Sequence, residues 1–77
     1  MPKWTDKPWE RQKGESDKAY EAFVTYRDMG TDRSIRAVAQ KLGKSRTQIG
    51  KWSSGWEWTE RVRAYDNELE KEARAQA

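Results

Sequence analysis

The chain has 77 residues and a formal net charge of +3, with 16 lysine and arginine residues against 13 aspartate and glutamate residues. This length allows one small domain at most. The sequence lacks cysteine and histidine, which excludes disulfides and thiolate metal sites and removes the commonest zinc ligand and general base; we expect no metal, no cofactor and no enzymatic activity.

Residues 1–15 have the composition of a flexible tail, and we expect the folded domain to span residues 16–77. Prolines and Gly14 interrupt the tail, and its polar residues have no helical or strand period. Trp4 and Trp9 are unusual in such a segment, since either ring has the apolar area to fold back on the domain or to anchor a partner. We expect Trp9 to pack loosely against the domain.

The first predicted helix runs from about residue 16 to residue 29. Ser16 is a suitable N-cap for this helix. Tyr20 and Phe23 belong to an apolar stripe at helical spacing, which predicts one buried face. Gly30 supplies the stop, because glycine readily adopts the left-handed conformation that ends helices.

The second predicted helix runs from about Ser34 to Leu42. Its apolar residues occupy positions i, i+3, i+4 and i+7, as in an amphipathic helix. These residues are Ile35, Val38, Ala39 and Leu42. Gly43 follows directly and predicts a sharp end to the helix.

The third predicted helix begins after Ser45. Ser45 and Gln48 form an S-x-x-Q capping box, in which each side chain bonds to the backbone N–H of the other residue. Ile49 and Trp52 lie three residues apart and share one face. Two serines and a glycine at 53–55 then predict the end of this helix.

The fourth predicted helix spans about residues 58–74. Its apolar stripe consists of Trp58, Val62, Tyr65 and Leu69. A domain this small needs large side chains in its core, so we expect Trp52 and Trp58 to pack there. Trp56 lies in the preceding turn, where core packing and ligand stacking are both open to it.

Charge is distributed unevenly along the chain. Residues 33–56 contain six basic side chains and no acidic one, whereas the segments on either side are mildly acidic. A polyanion such as DNA would be attracted to the central segment and repelled by its flanks. A solvated basic surface is the alternative interpretation of the charge taken by itself.

Residues 34–53 have the spacing of a helix-turn-helix. Ala39 is small where a partner helix approaches, Gly43 lies at the turn, and Ile49 and Trp52 return to the core. Such a motif holds two short helices near perpendicular and presents the start of the second helix to a major groove. A helical bundle with a merely hydrated third helix is the alternative.

The side chains at the start of the third helix suit base recognition. Arg46 can pair with a guanine edge, and Gln48 with adenine, although Gln48 also belongs to the capping box. Cations in the turn and at the start of the second helix are expected on phosphates. The predicted DNA-binding residues are Arg33, Arg36, Lys44, Ser45, Arg46, Thr47, Gln48 and Lys51.

The stretch from Ala19 to Asp66 resembles helix-turn-helix modules of bacteriophage and prophage proteins. The resemblance rests on AFVTYRDMG, RSIRAVAQKLGKSRTQIGKWSS and WTERVRAYD, and is strongest to the N-terminal DNA-binding domain of phage terminase small subunits. It implies recognition of packaging-site DNA and delivery of that DNA to a terminase large subunit. It also implies homo-oligomers, which such proteins form through a further helical region of a longer chain.

Two other functions remain open at this level. A phage transcriptional regulator or an excisionase-like protein would use the same motif on a regulatory site. A protein-interaction helical module would instead dock the aromatic side chains of residues 1–15 and of the fourth helix on a partner.

No apolar run approaches the roughly 18 residues that a membrane-spanning helix requires. Lys3 and Lys7 are not followed by the apolar stretch of a signal peptide. We therefore expect no membrane partner and a location in the cytoplasm of a bacterial host cell.

Overall fold

The computed structural model describes residue 5 and residues 7–76 of the chain, and the predicted role of Trp4 lies outside them. These residues form helices and no strand, which confirms the predicted all-α fold. A short 3-10 helix follows the first α-helix. The α-helices are α1 (Asp17–Asp28), α2 (Ile35–Leu42), α3 (Arg46–Gly55) and α4 (Trp58–Gln76).

Serine side chains cap the start of the first three helices, as predicted for Ser16 and Ser45. Each serine Oγ accepts a hydrogen bond from the backbone N–H three residues later, which satisfies a donor that the helix itself leaves unpaired. The three bonds join Ser16 to Ala19 (3.1 Å), Ser34 to Ala37 (2.9 Å) and Ser45 to Gln48 (3.1 Å).

The ends of α2 and α3 differ in how well they were predicted. Gly43 ends α2 in the left-handed conformation, with φ +65°, as expected. The predicted break at 53–55 is wrong, because α3 continues through these residues to Gly55. Trp52 and Trp56 lie four residues apart and both pack against the core. Their packing outweighs the modest helix propensity of serine and glycine.

The core receives at least one fully buried side chain from each α-helix. These side chains are Phe23, Val38, Ile49 and Trp58. The Trp58 ring lies 6.1 Å from the Phe23 ring and 5.1 Å from the Tyr26 ring, measured between centroids. The core prediction is therefore confirmed for Trp58. Trp52 is only half-buried at the edge of the same cluster.

Residues 7–15, part of the predicted flexible tail, pack against α4 through a buried arginine. Arg61 donates to the carboxylate of Glu15 at 2.8 and 2.9 Å, and both side chains are fully buried. It also donates to the carbonyl oxygens of Pro8 (2.7 Å) and Glu10 (3.1 Å). A buried guanidinium requires such partners, since an unpaired charge is costly there. We call residues 7–15 the N-terminal clamp.

Trp9 in the clamp packs against the domain, as predicted. Its ring lies 6.3 Å from the ring of Tyr65 in α4. Arg27 of α1 contacts both residues: its guanidinium lies 4.9 Å from the Tyr65 ring centroid and donates to the Trp9 carbonyl oxygen at 3.0 Å. The clamp is thus joined to both α1 and α4.

Candidate nucleic-acid interface

The helix-turn-helix consists of α2, the three-residue turn 43–45 and α3. The two helices pack directly on each other, with Ala39 and Ile49 buried. The Gly43 N–H donates to carbonyl oxygens of the last turn of α2, so the turn is fixed by local hydrogen bonds. This arrangement leaves one side of α3 uncovered.

The uncovered side of α3 lies opposite Ile49. With 3.6 residues per turn, Thr47 and Lys51 project about 160° away from Ile49 around the helix axis. Both are exposed. Arg46 and Gln48 are also exposed and flank them. The residues predicted to read bases therefore share the solvent-facing side of this helix.

The exposed cations of the motif have no intramolecular counterion in the described part of the chain. None of them lies within ion-pair distance of a described carboxylate. They are Arg36 and Lys41 on α2, and Arg46 and Lys51 on α3. Solvent ions can associate with such cations, and a polyanion that displaces those ions gains affinity.

Lys44 occupies the turn and is half-buried. Its Nζ lies 6.0 Å from the centroid of the Trp52 ring, at the outer limit of a cation–π contact. Lys44 therefore lies beside the Trp52 side chain of α3.

Arg33, one of the predicted phosphate contacts, is engaged with groups of the protein itself. It donates to Asp66 of α4 at 2.7 and 2.9 Å and to the carbonyl oxygens of Tyr26 and Arg27 at the end of α1. Its side chain is only 13% exposed. The hydrogen bonds from Arg33 lower the pKa of Asp66, because they favour the charged carboxylate. Arg33 therefore joins α1 to α4 and is occupied by these contacts.

The capping box is only half formed. Ser45 Oγ accepts from the Gln48 N–H, so this oxygen is already engaged in the helix start. The Gln48 side chain makes no hydrogen bond within the described residues and is exposed. The second bond of the predicted capping box, from the Ser45 backbone N–H to the Gln48 side chain, is thus absent from this part of the chain. The Gln48 side-chain amide is therefore available to a ligand.

Lys41 was not among the predicted contacts, although it lies in the acid-free segment. It is exposed near the end of α2. The sequence signal for Lys41 is its membership of the acid-free segment 33–56. We add Lys41 to the candidate interface.

A second surface feature lies between the clamp and α4. It is a groove lined by Lys7, Trp9, Tyr65, Glu68, Leu69 and Glu72. Leu69 is 46% exposed, unusually high for a large apolar side chain in this structure. The carboxylates of Glu68 and Glu72 in the groove would repel DNA. The groove therefore differs in charge from the candidate interface.

Comparisons with known proteins find no relative. No family model matches the chain, and searches of curated proteins and of solved structures give no match. Within residues 5 and 7–76, no helix combines the length and apolar character of a membrane span. The same residues include no group of acidic side chains arranged to hold a metal ion.

Proposed function

We propose that this protein binds double-stranded DNA through the helix-turn-helix, with α3 as the recognition helix. The observation that best supports this function is the set of exposed cations on α2 and α3, which lack carboxylate partners in the described residues. Elsewhere in the domain, Arg33 and Arg61 are held by carboxylates. The motif thus combines the charge of a DNA-binding surface with the short turn that such motifs require.

In this mode of binding, the exposed side of α3 enters the major groove. Arg46 is suited to the acceptor pair of a guanine edge, and Gln48 to an adenine. Around the helix axis, Thr47 and Lys51 lie between Arg46 and Gln48 and contact bases or the backbone of the adjacent DNA strand. The cations of α2 and the turn, with Lys44 held beside Trp52, contact phosphates and supply most of the affinity.

The biological role that we propose is recognition of packaging-site DNA in a phage, with delivery to a terminase large subunit. This role rests on the sequence resemblance over Ala19–Asp66. A regulator using the same motif would prefer a palindromic site bound by a dimer. The base sequence that the protein selects from a random pool therefore separates the two roles.

Salt-dependent DNA binding tests the proposed function directly. Fluorescence anisotropy of a labelled duplex should give a log–log slope of about −4 to −5, which corresponds to roughly five phosphate contacts. Arg46→Ala/Lys51→Ala should weaken binding and make the slope less steep by up to about 2. Lys18→Ala/Lys71→Ala removes the same net charge from exposed sites on α1 and α4 and should leave the slope unchanged.

Two results would contradict the proposal. Equal losses in the two double variants would show that net charge, and not the motif, drives binding. A folded protein that binds no duplex at low salt would exclude DNA as the partner. In that case the groove around Trp9 and Leu69 becomes the leading surface, and a protein partner the leading function.

A further inference from the structure

Gly50 lies in the interior of α3, a ten-residue helix that carries the predicted base contacts. Glycine is among the least favourable residues in a helix interior, because it loses the most backbone freedom on folding. A short helix at the functional surface therefore contains a residue that weakens it.

The fold gives no reason for a glycine at this position. Gly50 is not among the glycines with positive φ, which are Gly14, Gly30 and Gly43. A Cβ placed on Gly50 would meet no atom within 4 Å apart from its own helix backbone. An alanine would therefore fit without strain and without displacing a neighbour. Neither backbone conformation nor internal packing explains the missing side chain.

The position of Gly50 on α3 suggests an external reason. It lies one helical turn after Arg46 and Thr47 and directly before Lys51, all of which are exposed. Around the axis it falls between Arg46 and Thr47, at about 100° from the buried Ile49. Gly50 is half-buried, and without a Cβ its exposed part is backbone, which lies between the directions of Arg46 and Lys51 around the helix axis.

We propose that Gly50 is the point at which α3 approaches DNA most closely. The absence of a side chain lets the helix sit deeper in the major groove, so that Arg46 and Lys51 reach base edges and phosphates on either side. This inference rests on the proposed function and adds to it the residue that sets the depth of docking. It predicts that stability and DNA affinity respond in opposite directions when a methyl group is added.

Gly50→Ala tests this inference, with Gly55→Ala as the matched control. A Cβ at Gly55 also meets nothing within 4 Å, and that residue is the last of α3. The probe is the 20-base-pair duplex that the wild type enriches from a random-sequence pool. Gly50→Ala should raise Tm by about 4–8 °C and weaken binding about 5- to 150-fold, as expected when a methyl overfills a close contact. Gly55→Ala should raise Tm less and bind as the wild type does.

Four other results would contradict the proposed role of Gly50. Wild-type affinity in a more stable Gly50→Ala protein overturns the inference and leaves the proposed function standing. A lower Tm in Gly50→Ala shows an internal role for the glycine and also overturns it. Equal losses in both variants contradict the assignment to Gly50. If the wild type enriches and binds no duplex, the proposed function fails, and this inference fails with it.

Discussion

The helix-turn-helix and the N-terminal clamp use arginine in opposite ways. In the clamp, Arg61 is fully buried, and its guanidinium donates to the Glu15 carboxylate and to two carbonyl oxygens. In the motif, Arg36 and Arg46 are exposed and have no carboxylate partner among the described residues. The first arrangement fixes the chain internally, whereas the second leaves positive charge available to another molecule.

The arginine of the clamp is therefore paired within the protein, whereas those of the motif are not paired with any described carboxylate. The clamp closes an interaction between residues 46 positions apart, so it depends on the complete fold. The motif is built from local contacts, such as the bond from the Gln48 N–H to Ser45. Changes in the clamp should therefore act on stability first, and changes on the surface of the motif should act on binding first.

The largest expected effect comes from breaking the clamp at Arg61. Arg61→Met leaves the Glu15 carboxylate buried without its partner, which costs about 3–5 kcal/mol of the free energy of unfolding. A domain of this size rarely has more than about 3–5 kcal/mol in total. We therefore expect a largely unfolded protein at 25 °C, measured as lost helical circular dichroism.

The double variant Glu15→Leu/Arg61→Met is the control, because it removes both charges together. It should be more stable than Arg61→Met, although the Pro8 and Glu10 carbonyl oxygens still lose a donor. The two changes should be strongly non-additive. A stable Arg61→Met protein would show that the clamp is not an integral part of the fold.

Local features of the fold could be predicted from the sequence. Ser34 and Gly43 enclose α2 through hydrogen bonds that span three or four residues, so both ends of this helix are visible in a short window. Local propensity predicts too early an end for α3, which continues to Gly55. Trp56 packs against core residues that are distant in sequence, and this packing extends the helix. A short stretch of sequence around residues 53–55 does not reveal that contact.

The clamp could not be predicted because its partners are distant in sequence. Many carboxylates can in principle pair with Arg61, and no periodicity identifies Glu15 as the partner. The same reason explains Arg33, whose partner Asp66 lies 33 residues later and outside the acid-free segment. For Arg46 and Lys51, the helical period predicts exposure, because both point away from the face that Ile49 and Trp52 share.

A comparison of Arg33 with Arg36 should separate the two uses of arginine at neighbouring positions. Arg33→Ala removes charged hydrogen bonds to Asp66 and to the end of α1, so it should cost about 1–3 kcal/mol of stability. Arg36→Ala should change stability by less than about 0.5 kcal/mol, as is usual at exposed sites. Urea denaturation of both variants measures these effects.

DNA titration of the same two variants completes the comparison. At a temperature where both proteins are folded, Arg36→Ala should lose affinity and make the salt slope less steep by about 1. Arg33→Ala should retain the wild-type slope, because its guanidinium is occupied by protein groups. A weaker slope for Arg33→Ala would mean that this ion pair opens to bind phosphate.

The smallest expected effect concerns the titration of Asp66. Arg33 lowers the pKa of Asp66 below its ordinary value because its hydrogen bonds favour the carboxylate. A lowered pKa in the folded state contributes stability above the unfolded-state pKa of about 3.9, and this contribution is lost as the pH falls through the folded-state pKa. Since the Asp66 side chain is 51% exposed, solvent screening limits the contribution to a few tenths of a kcal/mol.

Carboxyl-carbon NMR resolves this titration where denaturation does not. In Arg33→Ala, the pKa of Asp66 should rise towards about 3.9. In Arg36→Ala it should stay at the wild-type position, because Arg36 has no described carboxylate within ion-pair distance. An Asp66 carboxyl that titrates normally in the wild type would show that the pair is open in solution. Arg33 would then join Arg36 as an available cation, and the boundary of the candidate DNA interface would move towards α4.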